Sequence, residues 1–358
     1  MPTVSFDLVP DPLPHYPLII RALIELYRAG ELPDLASVEV EPEYGVVARL
    51  VHRNGLVRFM RGAVTDINGY GTAKIARDKG YTKFFLQRLG YCTPAGKVFL
   101  MPSYITTIDR RLRRATLGEY AHIEQIAEYV DRQVGYPCYL KPNDGSQGRG
   151  VVRCLDQQEV WETLQQYKRG SVTTVLVEQE VRMPDYRVVV YGDEVIACYL
   201  RRPLVVVGDG AASLRELLAR RMAEFAARGR DVRLKLEDRR IASRAAHYGY
   251  TLDSVLPEGQ CFQVFDASNL SLGGEAEDVL GNLHPRWKDL CCEVAHAMGM
   301  QLCGVDLACT DLGDPEAPYS ILELNASPGL DHYVEIGPAQ RGRVYDLYRR
   351  LFNELLFA

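Results

Sequence analysis

The chain has 358 residues, 47% of them hydrophobic and 25% charged, with 30 Gly, 19 Pro and a formal net charge of −5. At roughly 100–200 residues per domain these values suit two or three globular domains and exclude disordered, collagen-like and low-complexity classes. The acidic balance argues against a nucleic-acid binder and against an electrostatic membrane anchor.

No apolar run approaches the ~20 residues needed to span a bilayer. The first 17 residues carry two Asp and five Pro and no basic segment, so no signal peptide is expected. Nine Cys form no C-x-x-C pair, which fits neither a zinc site nor a disulfide framework. Free thiols in a reducing cytoplasm are the expectation.

In chain order, residues 44–51 and 56–61 read as strands around Arg53-Asn54-Gly55, a hairpin signal. Asp78 caps a helix that closes at Gly90, with Pro94 beyond. Three segments match the capping-box pattern when Asp is allowed at the cap: Thr116 with Glu119, Asp156 with Glu159, and Ser213 with Glu216. The first helix runs to Gly135-Tyr136-Pro137 and the third to about Gly229. Strand-like runs cover 138–141, 151–154, 173–178, 187–190, 195–200, 304–309 and 320–324. Residues from about 229 to 280 show little regular periodicity and read as a long irregular excursion. Pro285 suits the first position of a helix with Trp287, Leu290, Cys291, Val294 and Met298 on one face. A last helix carries Val344, Leu347, Tyr348, Leu351, Phe352 and Leu355 as a core stripe. Hairpins mixed with helices point to an α+β (mixed α/β) fold rather than a doubly wound sheet. The expected division is a small N-terminal α/β domain at 1–75, a lid unit at 76–178 and a C-terminal unit at 179–358.

Three constellations carry chemistry. In 141–150, Lys141-Pro142 leads into Gly145, Ser146, Gly148 and Gly150, a loop able to offer backbone N–H groups to phosphates. It is not a Walker A loop, because no Gly-Lys-Ser/Thr follows, and not a dinucleotide fingerprint, because the spacing is G-x-x-G-x-G and a strand follows. By itself it is also compatible with a simple glycine-rich turn. Asp306 stands in an apolar strand, where an acid needs a partner or a metal. Glu323 and Asn325 are two apart on another strand and so share a face, with Leu322 and Leu324 turned to the core. These three oxygen ligands suit Mg²⁺, although a salt-bridged acid and a strand-end turn fit equally well. Glu178, Gln179, Glu180 and Val181, followed by Asp185, end a strand in polar groups able to receive an adenine and a ribose. A surface hairpin explains that segment about as well.

The combined order resembles the ATP-grasp carboxylate–amine ligases. Within that superfamily it is most similar to the ATP-grasp modules of the cyanophycin synthetases and bifunctional glutathione synthetases, over about residues 60–340. Thr65-Asp66, the 76–83 run Ala-Arg-Asp-Lys-Gly-Tyr-Thr-Lys, Arg201-Arg202-Pro203 with Val207-Gly208-Asp209-Gly210, the 269–279 run from Asn269 to Val279, and the 324–330 run from Leu324 to Leu330 carry the likeness.

The resemblance implies an ATP-grasp fold that clamps ATP between two α+β subdomains. It implies that Lys79 and Lys141 contact phosphates, that Gly145 to Gly150 form the lid, that Glu178 to Val181 form the adenine hinge and that Asp185 holds the ribose. Asp306, Glu323 and Asn325 would hold Mg²⁺, as two ions, and Arg201 would face the transferred phosphoryl group. Arg202 stands where the family pattern has an apolar residue, so the role is not extended to it. Gly304 stands where D-alanine ligase relatives place an arginine. Ser271, Gly273, Gly274 and His332 are candidate substrate contacts. The Arg110–Arg114 run reads as a solvated loop, with an acidic substrate as the other reading.

The implied reaction makes an acylphosphate from a carboxylate and ATP, then an amide from an amine. At this length a stand-alone cytoplasmic ligase for amino acids or small peptides is expected, compatible with a homo-oligomer. Two alternatives are a regulatory nucleotide-binding protein without turnover and a kinase-like enzyme that stops at phosphorylation.

Overall fold

A computed structural model describes residues 11–102, 104, 122–143, 145, 148, 150–170, 172–230 and 232–355. The Thr116 cap and the Arg110–Arg114 run lie outside the described residues.

The chain begins with α1 (Leu18–Arg28), whose Leu18, Ile19, Leu23, Ile24 and Leu26 are buried. Three antiparallel strands follow: β1 (Leu35–Val40), β2 (Val47–His52) and β3 (Val57–Arg61). The β2–β3 turn is the expected hairpin, with Gly55 at φ 90°, where a β-carbon is disfavoured. Two short helices come next, α2 (Tyr70–Arg77) and α3 (Lys79–Arg88). Asp78 caps α3 by accepting from the Tyr81 N–H.

The second unit comprises β4 (Gly96–Leu100), α4 (Ile123–Tyr129), β5 (Cys138–Pro142), β6 (Val152–Cys154), α5 (Gln157–Arg169) and β7 (Thr174–Gln179). Its strands form one antiparallel sheet in the order β4-β7-β5-β6. Cys138, Leu140, Val175 and Val177 turn one face to α4 and α5. The period-2 alternation then sends Tyr139, Lys141 and Glu178 to the other face.

The third unit opens with β8 (Asp185–Tyr191), β9 (Glu194–Arg202) and β10 (Val205–Val207), followed by α6 (Leu214–Ala227) and α7 (Arg239–His247). Ser213 and Glu216 close a complete capping box on α6. Then come β11 (Cys261–Gln263), β12 (Glu275–Asp278), α8 (Pro285–Ala297), β13 (Leu302–Cys309), β14 (Tyr319–Asn325), α9 (Asp331–Val334) and α10 (Pro338–Arg350). The stretch that looks irregular in sequence, about 229–280, thus contains a helix and two strands. Leu204, Leu218, Phe225, Ile241, Leu256 and Phe262 give it and its flanks a core of their own. Its elements are short and its apolar residues scattered, so neither helical nor strand period shows.

The main sheet has five antiparallel strands, β12-β9-β8-β13-β14. It is covered on both faces. Val188, Val190, Val305 and Leu307 pack against Trp287, Leu290 and Val294 of α8. Val189, Tyr191 and Tyr199 pack against α1 and the expected stripe of Val344, Leu347 and Tyr348. Each large aliphatic or aromatic side chain so buried contributes on the order of 1.5–3 kcal/mol.

One buried polar residue ties the first unit to this sheet. Asn68 donates to the carbonyls of Leu302 and Ala326 at 2.8 Å, and accepts from the N–H groups of Gln301 at 2.8 Å and Leu302 at 3.3 Å. Asn68→Ala leaves four backbone groups without this partner, three of them buried. Each unpaired group costs about 1–3 kcal/mol. The unfolding free energy in urea is expected to fall by about 3 kcal/mol or more. A fall below ~1 kcal/mol would show that the staple is dispensable.

Candidate functional site

The four-stranded and five-stranded sheets face one another across a cleft. On the first side it is lined by Lys141, Glu178 and Gln179; on the second by Asp185, Arg201, Asp306 and Glu323. Lys79, at the start of α3, also lines it.

The second side is built on register. Asp306 of β13 stands opposite Glu323 of β14, and opposite Arg187 of β8. Asp306 is 1% exposed, and its carboxylate accepts from Arg187 (Nη2 to Oδ2 3.3 Å, with a closer Nε contact) and from Arg201 Nη2 at 2.8 Å. Burial works to raise its pKa, but Arg187 and Arg201 outweigh burial and hold the carboxyl below its usual range. Arg201 also holds Asp185, at 2.6 and 2.8 Å. Burial, with Asp306 adding to it, keeps the Asp185 carboxyl above its usual range despite Arg201. Glu323 is likewise pushed up, first by burial and then by Asp306, with Lys79 at 3.8 Å opposing.

Leu322 does not face the core as the alternation predicts. Leu307 pairs with Ile321 while Asp306 pairs with Glu323, so Leu322 is the extra residue of a bulge. It lines the cleft beside Glu323. Leu324 is buried in the core as expected.

Among the described residues no group of three His, Cys, Asp or Glu side chains is gathered to hold a metal ion. Two carboxylates and an amide still form a fitting donor set for Mg²⁺. Asp306 and Glu323 crowd each other in a desolvated place, and Asn325, with an amide oxygen to offer, stands two residues on in the same strand. Hard oxygen donors in a site that penalises uncompensated negative charge suit a divalent cation.

On the first side Glu178 is 3% exposed and clamped between two ammonium groups, Lys83 and Lys141, each at 2.6 Å. Burial works against the carboxylate, but Lys141 and Lys83 overcome it and hold Glu178 below its usual range. Burial also works against Lys141, where Glu178, Glu323 and Asp185 win and hold the ammonium above its usual range. For Lys83 burial wins over Glu178 and pulls the ammonium down. Glu180 is held by Arg153 at 2.6 Å and Arg182 at 2.7 Å. Glu178 and Glu180 are therefore already engaged; Gln179, Val181 and Met183 line the cleft beside them.

Gly148 and Gly150 of the loop have φ of 67° and 72°, the left-handed region. A β-carbon on Gly148 would lie 2.1 Å from Nδ2 of Asn269, whose side chain would have to move, and the left-handed φ itself favours glycine. Lys79 donates to the Gly145 carbonyl. Ser146 lies outside the described residues.

The structure therefore brings Lys79, Lys141, Gly145, Gly148, Glu178, Gln179, Val181, Asp185, Arg201, Asp306 and Glu323 around one cleft. The four substrate candidates do not line it. Ser271 borders a separate cavity with Arg233 and Lys235. Gly273, at φ 93°, turns beneath Phe225 and Leu204, and Gly274 packs its backbone against Arg202 and Asn269. His332 lies 3.7 Å from Glu335.

Three contributors escaped the sequence reading. Lys83 sits one helical turn after Lys79, a spacing that shares a face. Arg187 sits two after Asp185 on a strand, which also shares a face. Arg187 explains Gly304 as well: a β-carbon there would meet Arg187 Nη1 at 3.1 Å and Pro328 at 2.9 Å. Asn143 accepts from the Gly80 N–H at 2.8 Å and joins α3 to the loop, and no local pattern marks it.

A RimK-like ATP-grasp domain matches residues 263–339. Cyanophycin synthetase of Trichormus variabilis is 31% identical over 280 residues, 77% of this chain and 29% of the relative. The glutathione biosynthesis bifunctional protein GshAB of Mannheimia succiniciproducens is 27% identical over 334 residues, 89% of this chain and 41% of the relative. The crystal structure of a bifunctional glutathione synthetase from Pasteurella multocida superposes with a TM-score of 0.55 at 22% identity, covering 94% of this chain and 44% of that one. It shows the fold to be that of an ATP-grasp protein. The chain spans less than half the length of each of these relatives.

The Glu178 clamp has a pH signature. A carboxylate held below its usual range stabilises the fold fully above the unfolded value of about 4.3, and that stability is lost as pH falls through the folded value. Wild-type unfolding free energy should therefore drop more steeply than that of Glu178→Gln between about pH 5 and pH 3. Equal acid slopes in urea titrations would remove Glu178 from the acid response.

Proposed function

Because this chain carries a RimK-like ATP-grasp domain and is homologous to the ATP-grasp regions of cyanophycin synthetase and of the bifunctional glutathione biosynthesis protein, we propose that it joins a carboxylate to an amine with ATP as phosphoryl donor. Amino acids or small peptides are the substrate class, by analogy with those relatives. The observation that carries the reading is the cleft itself. Arg201 and the Asp306–Glu323 pair stand on one wall, Lys141 on the other, and Lys79 lines the cleft beside Glu323.

Each side chain has work in such a reaction. Lys79 and Lys141 neutralise phosphate oxygens, and the glycines of the loop bring backbone N–H groups close to them. Arg201, fixed by Asp185 and Asp306, points its remaining donors where charge grows on the transferred phosphoryl group. Its Nε is buried with no hydrogen-bond partner, which leaves a donor for a ligand. Asp306, Glu323 and Asn325 would hold Mg²⁺, read as two ions. The metal would add charge neutralisation at the phosphates. The carboxylate substrate attacks the γ-phosphorus and ADP leaves. The amine then attacks the acyl carbon and phosphate leaves, giving the amide. Gln179, Val181 and Met183 offer the adenine its edge and its apolar wall, and Asp185 stands near the ribose.

No helix among the described residues is long and apolar enough to cross a membrane. A cytoplasmic enzyme, alone or as a homo-oligomer, is part of this proposal.

ADP and phosphate release with a panel of amino acids and dipeptides, read together with product mass, tests it. One pair should yield ADP, phosphate and a condensed product. Folded protein that turns over ATP with none of them sinks the reading. A product carrying phosphate rather than an amide bond would point to a kinase instead.

Glu323→Gln and Asn325→Ala should each lower turnover by on the order of 100-fold or more while circular dichroism stays unchanged. Near-wild-type rates for either variant at limiting Mg²⁺ would remove that residue from the ligand set.

A further inference from the structure

The four-stranded sheet sets two cysteines face to face. Cys138 opens β5 and Cys154 closes β6, and the register of the two strands places them directly opposite each other. Opposed residues on an antiparallel ladder point to the same face, with Cα atoms about 4.5 or 5.5 Å apart. A disulfide takes Cα separations of roughly 4.4–6.8 Å, so the two can be joined with the ladder intact. Both are 0% exposed, in the layer that holds Val160 and Leu164 of α5. The Cys154 sulfur lies 3.7 Å from the Thr163 hydroxyl oxygen. The Cys138 thiol, through a side-chain hydrogen bond, is the largest influence that pushes the Cys154 thiol above its usual range, ahead of burial.

No other cysteine has such a partner among the described residues. Cys198 stands opposite Val188, Cys303 opposite Val190, Cys309 opposite Tyr319 and Cys261 opposite Val207. β6 is also a three-residue strand at the edge of its sheet, held to β5 by three register pairs. Short edge segments open locally at less cost than the strands inside a sheet.

We propose that Cys138 and Cys154 form an oxidative modification site, which a peroxide closes to an intrachain disulfide that staples β6 to β5. The closed sheet keeps both thiols protonated and shielded, so the reaction runs through local opening of β6, which brings Cys154 to solvent. The Cys154 thiolate attacks one peroxide oxygen. The O–O bond breaks, hydroxide leaves and takes up a proton as water, and a sulfenic acid remains on Cys154. When the strand re-pairs, the Cys138 sulfur attacks the sulfenic sulfur, the S–O bond breaks, a second water leaves and the S–S bond forms. Two thiols and one peroxide become one disulfide and two waters, with sulfur oxidised and peroxide oxygen reduced. A dithiol restores both thiols by exchange. The bridge lies on the α5 face of the sheet, away from Tyr139 and Lys141, and ties the strand of Arg153 to the strand of Lys141.

The experiment exposes full-length folded wild type, Cys138→Ala and Cys261→Ser to hydrogen peroxide, and maps the cross-links by peptide mass. Cys261 is an exposed cysteine outside the pair. Wild type and Cys261→Ser should each yield one cross-linked peptide joining Cys138 to Cys154, lighter by two hydrogens than its reduced parts, and dithiothreitol should abolish it. Cys138→Ala should yield none, and dimedone, which traps sulfenic acid, should label its Cys154. The second readout is urea unfolding. Oxidation should raise the midpoint of wild type and leave that of Cys138→Ala unchanged, because the bridge restricts the unfolded chain.

Folded wild type in which Cys138 and Cys154 both remain thiols after peroxide overturns the site, as does a bridge that appears only once urea has unfolded the chain. Should Cys138→Ala fail to fold, Cys138→Ser is read the same way, and the wild-type map decides alone if neither folds. None of these readouts uses ATP turnover, so failure of the ligase reading leaves the test intact.

Discussion

A carboxylate that is 1% exposed in a strand of apolar residues has to be paired, and Asp306 is paired twice, by Arg187 and Arg201. Much else in the cleft follows from that pairing. Arg187 needs room above β13, which Gly304 provides. Arg201 needs a second acid to hold its planar head in one orientation, which Asp185 provides. Glu323, placed across the ladder from Asp306, completes three acids against Arg187, Arg201 and Lys79. The wall is thus neutral only while Lys79 leans toward Glu323. A polyphosphate competing for Lys79 would leave one acid uncompensated, and a divalent cation restores the balance. In the proposed reaction nucleotide and metal are therefore coupled through a single lysine.

The opposite wall solves the same problem with the signs exchanged. Two ammonium groups converge on the buried Glu178. Lys141 is the more exposed of the two and faces the cleft, whereas Lys83 is enclosed. The buried lysine sets the carboxylate in place, and the carboxylate sets the outer lysine. In the proposed reaction a cation fixed in this way would need little reorganisation when a phosphate arrives, which is the condition under which electrostatic stabilisation is strongest.

The main elements were legible because local chemistry and global fold agree. Asp78, Asp156 and Ser213 cap helices through their own backbone neighbours, and Asn54-Gly55 turns a hairpin, so short windows suffice. The acids of the cleft were legible because charge inside an apolar strand is conspicuous. Less was legible where an interaction joins distant segments. Asn68 serves Leu302 and Ala326, more than two hundred residues away, and nothing around it announces that. Leu322 was misplaced because strict alternation has no way to show a bulge. The insert read as irregular because short helices and a two-stranded ribbon give few repeats of either period, even though they enclose a core.

That insert leaves the main sheet at Arg202 and returns at Glu275, and those two residues are partners on one ladder. A segment that starts and ends on the same rung, and buries its own apolar residues, can change length or sequence without shifting the register of β9 or the placement of Arg201. The wall that carries Arg201 and the insert are thus free to diversify at different speeds. The seam between Arg202 and Glu275 is where one chain of this fold could borrow another's insert.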